Sequence, residues 1–316
     1  MGIQGLLPLL KPIHNHTHVS EFSGKTLAVD AYVWLHKGAY GCAPDLVTGK
    51  PTVKYVDYAM HRVRMLRHFG IQPYLVFDGG PLPAKKGTEQ ERQKRRDENF
   101  ARASELAKAG KHSQARDYYV KCVDVTPQMA YQLIKALRVE AVPYVVAPYE
   151  ADAQLTYLER SGIVDGIITE DSDLLVFGAR TVLFKFDISG SVVTISRAHF
   201  GNIHSGTFSL VGWTDTEFRE MAMLSGCDYL ASIPGIGLIT AWKLLRKYKT
   251  VEKVLQFIRL EGAKKIPPSY LDSFRMAELA FKHQRVYCPR SRCLVYLTDI
   301  PDGHEWDSTK EAYIGL

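Results

Sequence analysis

The chain has 316 residues, 46% of them apolar and 23% charged, with 40 Lys or Arg against 34 Asp or Glu for a net charge of +6 with His neutral. That apolar content supplies a real core for one large or two ordinary domains and excludes a disordered chain. The charge excess is modest, so where the charge lies matters more than its size, and five scattered cysteines at 42, 122, 227, 288 and 293 exclude a disulfide framework and fit a reducing compartment.

The N-terminal MGIQGLLPLLKP lacks the basic start and long apolar region of a signal peptide, and Leu6 stands where the myristoylation pattern wants Ser or Thr. No apolar stretch approaches the length of a membrane span, so a soluble, intracellular chain is expected. His14, His16 and His18 alternate among Asn15, Thr17 and Ser20, which predicts a solvated, turn-like loop rather than a metal site. Lys25 to Asp30 (KTLAVD) is the first strand, and Asp30 stands where the apolar run stops. A helix follows with Val56, Ala59, Met60, Val63 and Leu66 on one face, closed by Gly70. PYLVFDGG is then a strand ending in Asp78.

A stretch of different character begins at Lys85. Between Lys85 and Lys121 there are 11 Lys or Arg against 6 Asp or Glu, an excess of +5 that nearly equals that of the whole chain. Thr88 and Glu91 form a capping-box pattern and Gly110 a stop, predicting a helix of about 20 residues. No large apolar residue occurs from Lys85 to Asn99, so this helix has no face to bury and must project. Arg92, Arg95 and Arg96 cluster on it at helical spacing. Taken alone, the stretch is either a solvated, salt-bridged helix or an arm for a charged partner.

Thr126 and Pro127 open the next helix as N-cap and first-turn proline, leading back to the core through Val142 to Val146. PYEADAQL follows. Full helical geometry would set Glu150 and Asp152 about 200° apart around the axis, so convergence on one ion requires Glu150 in the entry turn. DGIIT then runs into Asp171 and Asp173, which an extended backbone would point the same way. Two like charges on one side need solvent, an Arg or Lys, or a divalent cation with hard oxygen ligands. One Asp after a strand is usually a cap or turn residue. Four apolar runs ending in carboxylates favour a polynuclear metal site instead. Strands alternating with helices predict an α/β fold with a mainly parallel central sheet flanked by helices, whose ligand site lies beyond the carboxyl ends of the strands.

VLFKFDISGSVVTIS predicts a hairpin turning at Ser189 and Gly190. Thr214 and Glu217 cap a helix carrying Phe218, Met221 and Leu224, which delivers Asp228 ahead of SIPGIGLITAWKLL. There Gly235 and Gly237 flank Ile236, and a helix opens with Ala241, Leu244 and Leu245 on one side and Lys243, Arg246 and Lys247 in its first turns. Open backbone N–H groups beside basic residues suit duplex phosphates held without base readout. Cys288, Cys293 and His283 lack a second ligand pair, so zinc is set aside.

MGIQGLL, FDGGPLPAKK, PYEADAQL, TEDSDLLVFG and SGCDYLASIPGIG, in this order, resemble the structure-specific 5′ nuclease family that includes flap endonucleases and XPG. The resemblance covers essentially the whole chain, and EADAQL and CDY are most similar to the exonuclease members. It implies a helical arch and a helix-two-turn-helix on the α/β core, in one catalytic unit made of residues 1–99, the rest of the arch over 100–137 (the arch beginning about 80), 138–228, and 229–316. It implies two Mg²⁺ ions, with Mn²⁺ as a substitute, held by Asp30, Asp78, Glu150, Asp152, Asp171, Asp173 and Asp228. Lys85 and Arg92 would face the scissile phosphate, Tyr32 and His36 the nucleotide being cut, and Gly2, after removal of Met1, would lie close by. Arg95, Arg96, Gly235, Gly237 and Lys243 would contact DNA, and Ser225, Ser232 and Ile236 would hold K⁺ beside the duplex. The implied activity is a 5′ to 3′ exonuclease on double-stranded DNA with 5′ ends, nicks, gaps or flaps that also cuts 5′ flaps. The implied setting is repair and recombination in the nucleus, with protein partners engaged through a C-terminal tail. A flap endonuclease of the same superfamily and a non-catalytic DNA-binding scaffold are the alternatives.

Overall fold

The computed structural model describes residues 2–206, 208–262, 265–301, 303 and 306–315. Met1, whose removal the resemblance implies, and Leu316 at the end of the chain lie outside the described residues. Seven strands, β1 (Asn15–His18), β2 (Thr26–Asp30), β3 (Gln72–Phe77), β4 (Tyr144–Val146), β5 (Gly166–Ile168), β6 (Thr181–Phe184) and β7 (Ser191–Ser196), form one sheet in the order β1-β7-β6-β5-β2-β3-β4. The five strands from β6 to β4 run parallel, and β7 and β1 add an antiparallel edge. The mainly parallel α/β arrangement read from the sequence stands.

Alternation along the strands feeds two cores, as the period of two requires. Leu27, Val29, Leu75 and Phe77 face α1 (Ala31–Tyr40), α2 (Lys54–His68) and the later helix Pro127–Val139. Ala28, Val76, Ile167 and Val182 face the helices that follow β4. Gly38 is where α1 meets α2, since a Cβ there would lie 2.8 Å from Tyr55 Cα and 3.0 Å from Tyr58 Cβ.

Between β3 and β4 the chain leaves the body as α3 (Lys86–Lys108) and α4 (His112–Cys122), which pack on each other and bury only Ala103, Leu106 and Ala115. Gly110 turns the chain at φ 73°. The helix starts earlier than the capping-box pattern predicts, with no side-chain cap at Lys85. Thr88 Oγ1 instead donates to the Asp228 carbonyl at 2.7 Å, a tertiary partner that outcompetes the local cap. The predicted caps elsewhere are present: Thr126 accepts from Met129 N at the head of α5 (Pro127–Val139), and Thr214 and Glu217 form a reciprocal capping box.

After β4 come the helices α6 (Ala151–Arg160), α7 (Asp173–Phe177), α8 (Asp215–Leu224), α9 (Leu238–Tyr248), α10 (Val251–Glu261), α11 (Tyr270–His283) and α12 (Ser308–Ile314), with a hairpin of Arg285–Cys288 and Cys293–Tyr296 before the last; short helices Leu6–Leu9 and Ala43–Val47 lie earlier in the chain. Of the three-histidine stretch, His16 and His18 do not lie in a loop, and His14 ends the short turn just before them. Residues Asn15–His18 form the edge strand β1, because their backbone pairs with β7 while their side chains stay polar, and edge pairing leaves no apolar alternation to read. His18 bonds Ser20 Oγ through Nδ1 and the Ser189 carbonyl through Nε2, pinning β1 to the tip of the β6–β7 hairpin. Among the described residues no helix is long and apolar enough to cross a membrane.

Gly38→Val forces α1 and α2 apart at a point where backbone, not a flexible side chain, is the obstacle. A loss of about 2 kcal/mol in unfolding free energy is expected from urea titration, and an unchanged midpoint would contradict the close packing.

Candidate metal centre

The carboxyl ends of β2, β3, β4 and β5 open on one edge of the sheet, where neighbouring strands lead away in opposite directions. Asp30 is the last residue of β2 and caps α1, accepting from Val33 N at 3.2 Å and from Thr169 Oγ1 at 3.0 Å. Asp78 follows β3 and accepts from Ala151 N at 2.7 Å. This reach requires Gly79: a Cβ there would lie 1.9 Å from the Ala147 carbonyl oxygen. Glu150 is the N-cap of α6, with φ −84° and ψ 137°, and Asp152 lies in the first turn. The entry-turn geometry required for convergence is therefore present.

Asp171 and Asp173 converge by a different route from the one expected. The strand stops at Ile168, Ser172 is helical at φ −71° and ψ −15°, and Asp173 begins α7. Asp171 Oδ1 accepts from Asp173 N at 2.9 Å, so a side-chain-closed turn replaces the extended backbone. Asp173 lies deeper, with Oδ1 accepting from Ile3 N at 2.9 Å. Gly2 packs against Asp171 and Ser172, since a Cβ on Gly2 would sit 2.4 Å from Asp171 Oδ1 and from Ser172 Oγ.

Asp228 comes from the far side, in the turn closed by the Cys227–Leu230 bridge, and meets the arch. Lys85 Nζ lies 2.5 Å from Glu150 Oε1 and 3.0 Å from Asp228 Oδ2, and Arg92 Nη2 lies 2.7 Å from the same Asp228 oxygen. The two arch cations thus share one target although Lys85 precedes the helix and Arg92 lies within it. The other two arginines of the cluster diverge. Arg95 is exposed and pairs with Glu91, and Arg96 turns under the arch toward Asp124 at 3.4 Å.

Six of the seven carboxylates line a cleft of about 720 Å³, with Tyr32, His36, Lys85, Arg92 and Arg96 on its walls. Burial, and then Asp78, push Asp30 up to about 7, and burial pushes Asp78 up to about 6. Burial and the neighbouring Asp171 push Asp152 and Asp173 well up. Asp228 goes the other way: burial would raise it, but Lys85 and Arg92 hold it below the usual carboxylate range. Burial opposes the Lys85 ammonium too, yet Glu150 and Asp228 hold it charged. Burial raises Tyr32 to about 12 and lowers His36, so the first stays a phenol and the second a neutral imidazole near neutral pH.

Among the described residues no three acidic, His or Cys side chains close on a single point tightly enough to cage an ion unaided. The donor set nevertheless fits a hard divalent cation. It offers carboxylate oxygens, and carboxylates pushed up by burial and by one another are groups that added positive charge would stabilise. Two partners of this cluster, Thr169 and Gln284, carry no sequence signal of their own; Thr88 carries only the signal of a local cap, and Tyr229 is foreshadowed only by its place beside Asp228. Tyr229 OH donates to Glu150 Oε2, and Gln284 Nε2 donates to the same oxygen at 2.7 Å.

Away from the cleft, Gly235 adopts φ 76° and Gly237 caps α9, both exposed, with exposed Lys243 in the next turn. Ser225 donates to the Ala222 carbonyl at 2.7 Å, Gly226 at φ 105° packs against Ser232, and Ile236 N donates to the Ile233 carbonyl at 2.9 Å. The structure therefore brings Ser225 and Ser232 to either side of one glycine, just ahead of Ile236.

The XPG N-terminal domain model matches residues 1–99 and the XPG I-region model residues 141–228. Exodeoxyribonuclease 1 of Schizosaccharomyces pombe is 50% identical over 315 residues, which are 100% of this chain and 54% of the relative. The DNA damage-inducible protein DIN7 of Saccharomyces cerevisiae is 40% identical over 95% of this chain and 70% of its own length. Among solved structures, the catalytic core of Rad2 in complex with DNA substrate has a TM-score of 0.64 at 20% identity, covering 89% of this chain and 85% of that one. Flap endonuclease-1 from Methanococcus jannaschii has a TM-score of 0.56 at 20% identity, covering 87% and 84%. These two likenesses carry the fold. The chain belongs to the XPG family of metal-dependent nucleases. Within that family it is similar over its whole length to exonuclease 1 proteins, and it spans about half the length of the first of them.

Carboxylates raised above their unfolded values bind protons more readily in the folded chain, so between about pH 4 and pH 7 their contribution to stability falls as pH rises. A divalent cation should offset this where they are ionised. In thermal unfolding, Mg²⁺ should raise Tm over a chelator control by about 5 °C or more at pH 8 and far less at pH 5.5. An equal effect at both pH values would contradict the arrangement.

Proposed function

We propose that the chain is the catalytic part of a Mg²⁺-dependent 5′ to 3′ exonuclease on double-stranded DNA that also cuts 5′ flaps. The observation that supports it best is the meeting of two arch cations, Lys85 and Arg92, with the carboxylate edge of the sheet at Glu150 and Asp228. An anionic backbone entering between arch and sheet meets cations on one side and carboxylates on the other.

Asp30, Asp78, Glu150, Asp152, Asp171, Asp173 and Asp228 would hold two Mg²⁺ ions, which Mn²⁺ can replace. When bound, these ions supply an activated water and neutralise charge on the scissile phosphate and the departing oxygen. The carboxylates act as ligands. Lys85 and Arg92 turn toward the phosphate and stabilise the charge that grows on it, an effect larger in the transition state than in the ground state. Tyr32 and His36, both uncharged, line the cleft where the terminal nucleotide would rest. Gly2 lets the N-terminus approach Asp171. Gly235, Gly237 and Lys243 would grip duplex phosphates behind the cut, with K⁺ held near Ser225, Ser232 and Ile236, and Arg95 and Arg96 would add arch contacts. Double-stranded DNA with 5′ ends, nicks, gaps or flaps is the substrate in this reading. DNA repair and recombination in the nucleus form the setting, and protein partners engage through sequence that the longer relatives carry.

A duplex labelled at either end, digested with Mg²⁺ and separately with Ca²⁺, tests the reading. The expected product is a ladder built from the 5′ end in Mg²⁺ alone. Asp173→Ala should lower that cleavage by roughly a hundredfold or more while duplex binding stays within a few-fold. Cleavage within about tenfold of wild type would contradict the metal role, and Mg²⁺-insensitive binding without cleavage by the wild type would point to a DNA-binding scaffold.

A further inference from the structure

Neither family model extends past residue 228, yet both neutral side chains that hydrogen-bond the Glu150 carboxylate come from beyond it. Gln284 is fully buried at the junction between α11 and the hairpin strand Arg285–Cys288. Its Nε2 donates to Glu150 Oε2 at 2.7 Å and lies 2.9 Å from Tyr229 OH, which itself donates to that same oxygen. Its Oε1 is buried and has no hydrogen-bond partner among the described residues.

An amide that leaves its oxygen unsatisfied in the interior accepts a penalty on the order of 1–3 kcal/mol, so something must fix its direction. Glu150 does so, because an ionised carboxylate only accepts and therefore selects the nitrogen. The outcome is a division of labour within one side chain. Oε2 is tied inward by two neutral donors, and Oε1 faces Lys85 and the cleft. Neutral donors suit this position. A Lys would neutralise Glu150, and a Glu would add a further like charge.

The junction is itself braced. The Gln284 carbonyl accepts from Leu297 N at 2.9 Å across the hairpin. The neighbouring Arg285 reaches Glu311 of α12 at 2.5 Å and stacks 4.0 Å over Tyr296. Tyr296 and Trp306 also donate to Glu311. Beyond α12, Gly315 lies against the ring of Tyr149, the residue before Glu150, so close that a Cβ would fall 2.1 Å from Cε2.

We infer that Gln284 is a positioning residue for the metal centre, holding Glu150 so that one defined oxygen faces the cleft, and that the C-terminal hairpin and α12 form the frame that keeps it there. The inference rests on the carboxylate cluster being a divalent-cation site, and the test separates the two.

Mn²⁺ alone, without DNA, is titrated into wild type, Gln284→Leu, Gln284→Met and Tyr229→Phe by isothermal calorimetry. Single-turnover cleavage and duplex affinity are measured in parallel. Gln284→Leu and Gln284→Met should each weaken Mn²⁺ binding about tenfold and lower the cleavage rate by a similar factor, with duplex affinity unchanged. Tyr229→Phe, which removes a hydroxyl alone, should do the same to a smaller extent and keeps the test available if both Gln284 variants fail to fold. Folded variants with wild-type Mn²⁺ affinity and wild-type rate would overturn the inference and leave Gln284 a packing residue. A wild-type chain that binds no Mn²⁺ would instead remove the metal centre on which it depends.

Discussion

Like charge gathered in a partly buried edge is the constraint on which the rest of this structure depends. Two unit charges 4 Å apart repel by about 4 kcal/mol at an effective dielectric constant of 20, and seven carboxylates share this edge. Two devices hold them there. Neutral donors satisfy individual oxygens: Val33 N and Thr169 on Asp30, Ala151 N on Asp78, Ile3 N on Asp173, and Tyr229 and Gln284 on Glu150. Cations brought from outside the sheet, Lys85 and Arg92, offset charge on Glu150 and Asp228. The pKa directions follow, with Asp228 held down by its ion pairs to both cations and Asp30, Asp78, Asp152 and Asp173 pushed up chiefly by burial.

Distant parts of the chain serve this edge. The polar arch, which has almost nothing to bury, is fastened at its root by Thr88 to the Asp228 backbone as well as by its two cations. The N-terminal residues close over Asp171 and Asp173. The C-terminal hairpin closes over Glu150. The sheet edge of this chain therefore draws on residues 2 and 3 and also on Tyr229 and Gln284, the two that neither family model spans.

Much of this was legible in the sequence because a strand that stops at a carboxylate is visible without knowing the fold. Asp30, Asp78, Glu150 and Asp152 were each marked that way, and a long stretch without large apolar residues marked α3 as projecting. Asp171 and Asp173 were correctly paired through the wrong geometry, since a two-residue spacing suits an extended strand as well as the side-chain-closed turn that exists. Thr88 was misassigned because a local capping pattern says nothing of a carbonyl 140 positions away. The β1 histidines were missed because edge pairing runs through the backbone. Gln284 was beyond reach, being a single amide whose partner is 134 positions distant and whose importance lies in direction rather than type. Nor could spacing show that Arg92, Arg95 and Arg96 would point to three different places.

If the arch cations complete the charge balance at the reacting phosphate, removing them must slow the chemical step itself. Single-turnover cleavage by Lys85→Ala/Arg92→Ala at saturating enzyme isolates that step, since binding no longer limits the rate. The expected result is a loss of about 100-fold or more in the saturated rate, with a much smaller loss of duplex affinity because the glycine turn and Lys243 remain. A double variant that cuts saturated substrate as fast as wild type would reduce the arch to an electrostatic guide and contradict its place in the catalytic site.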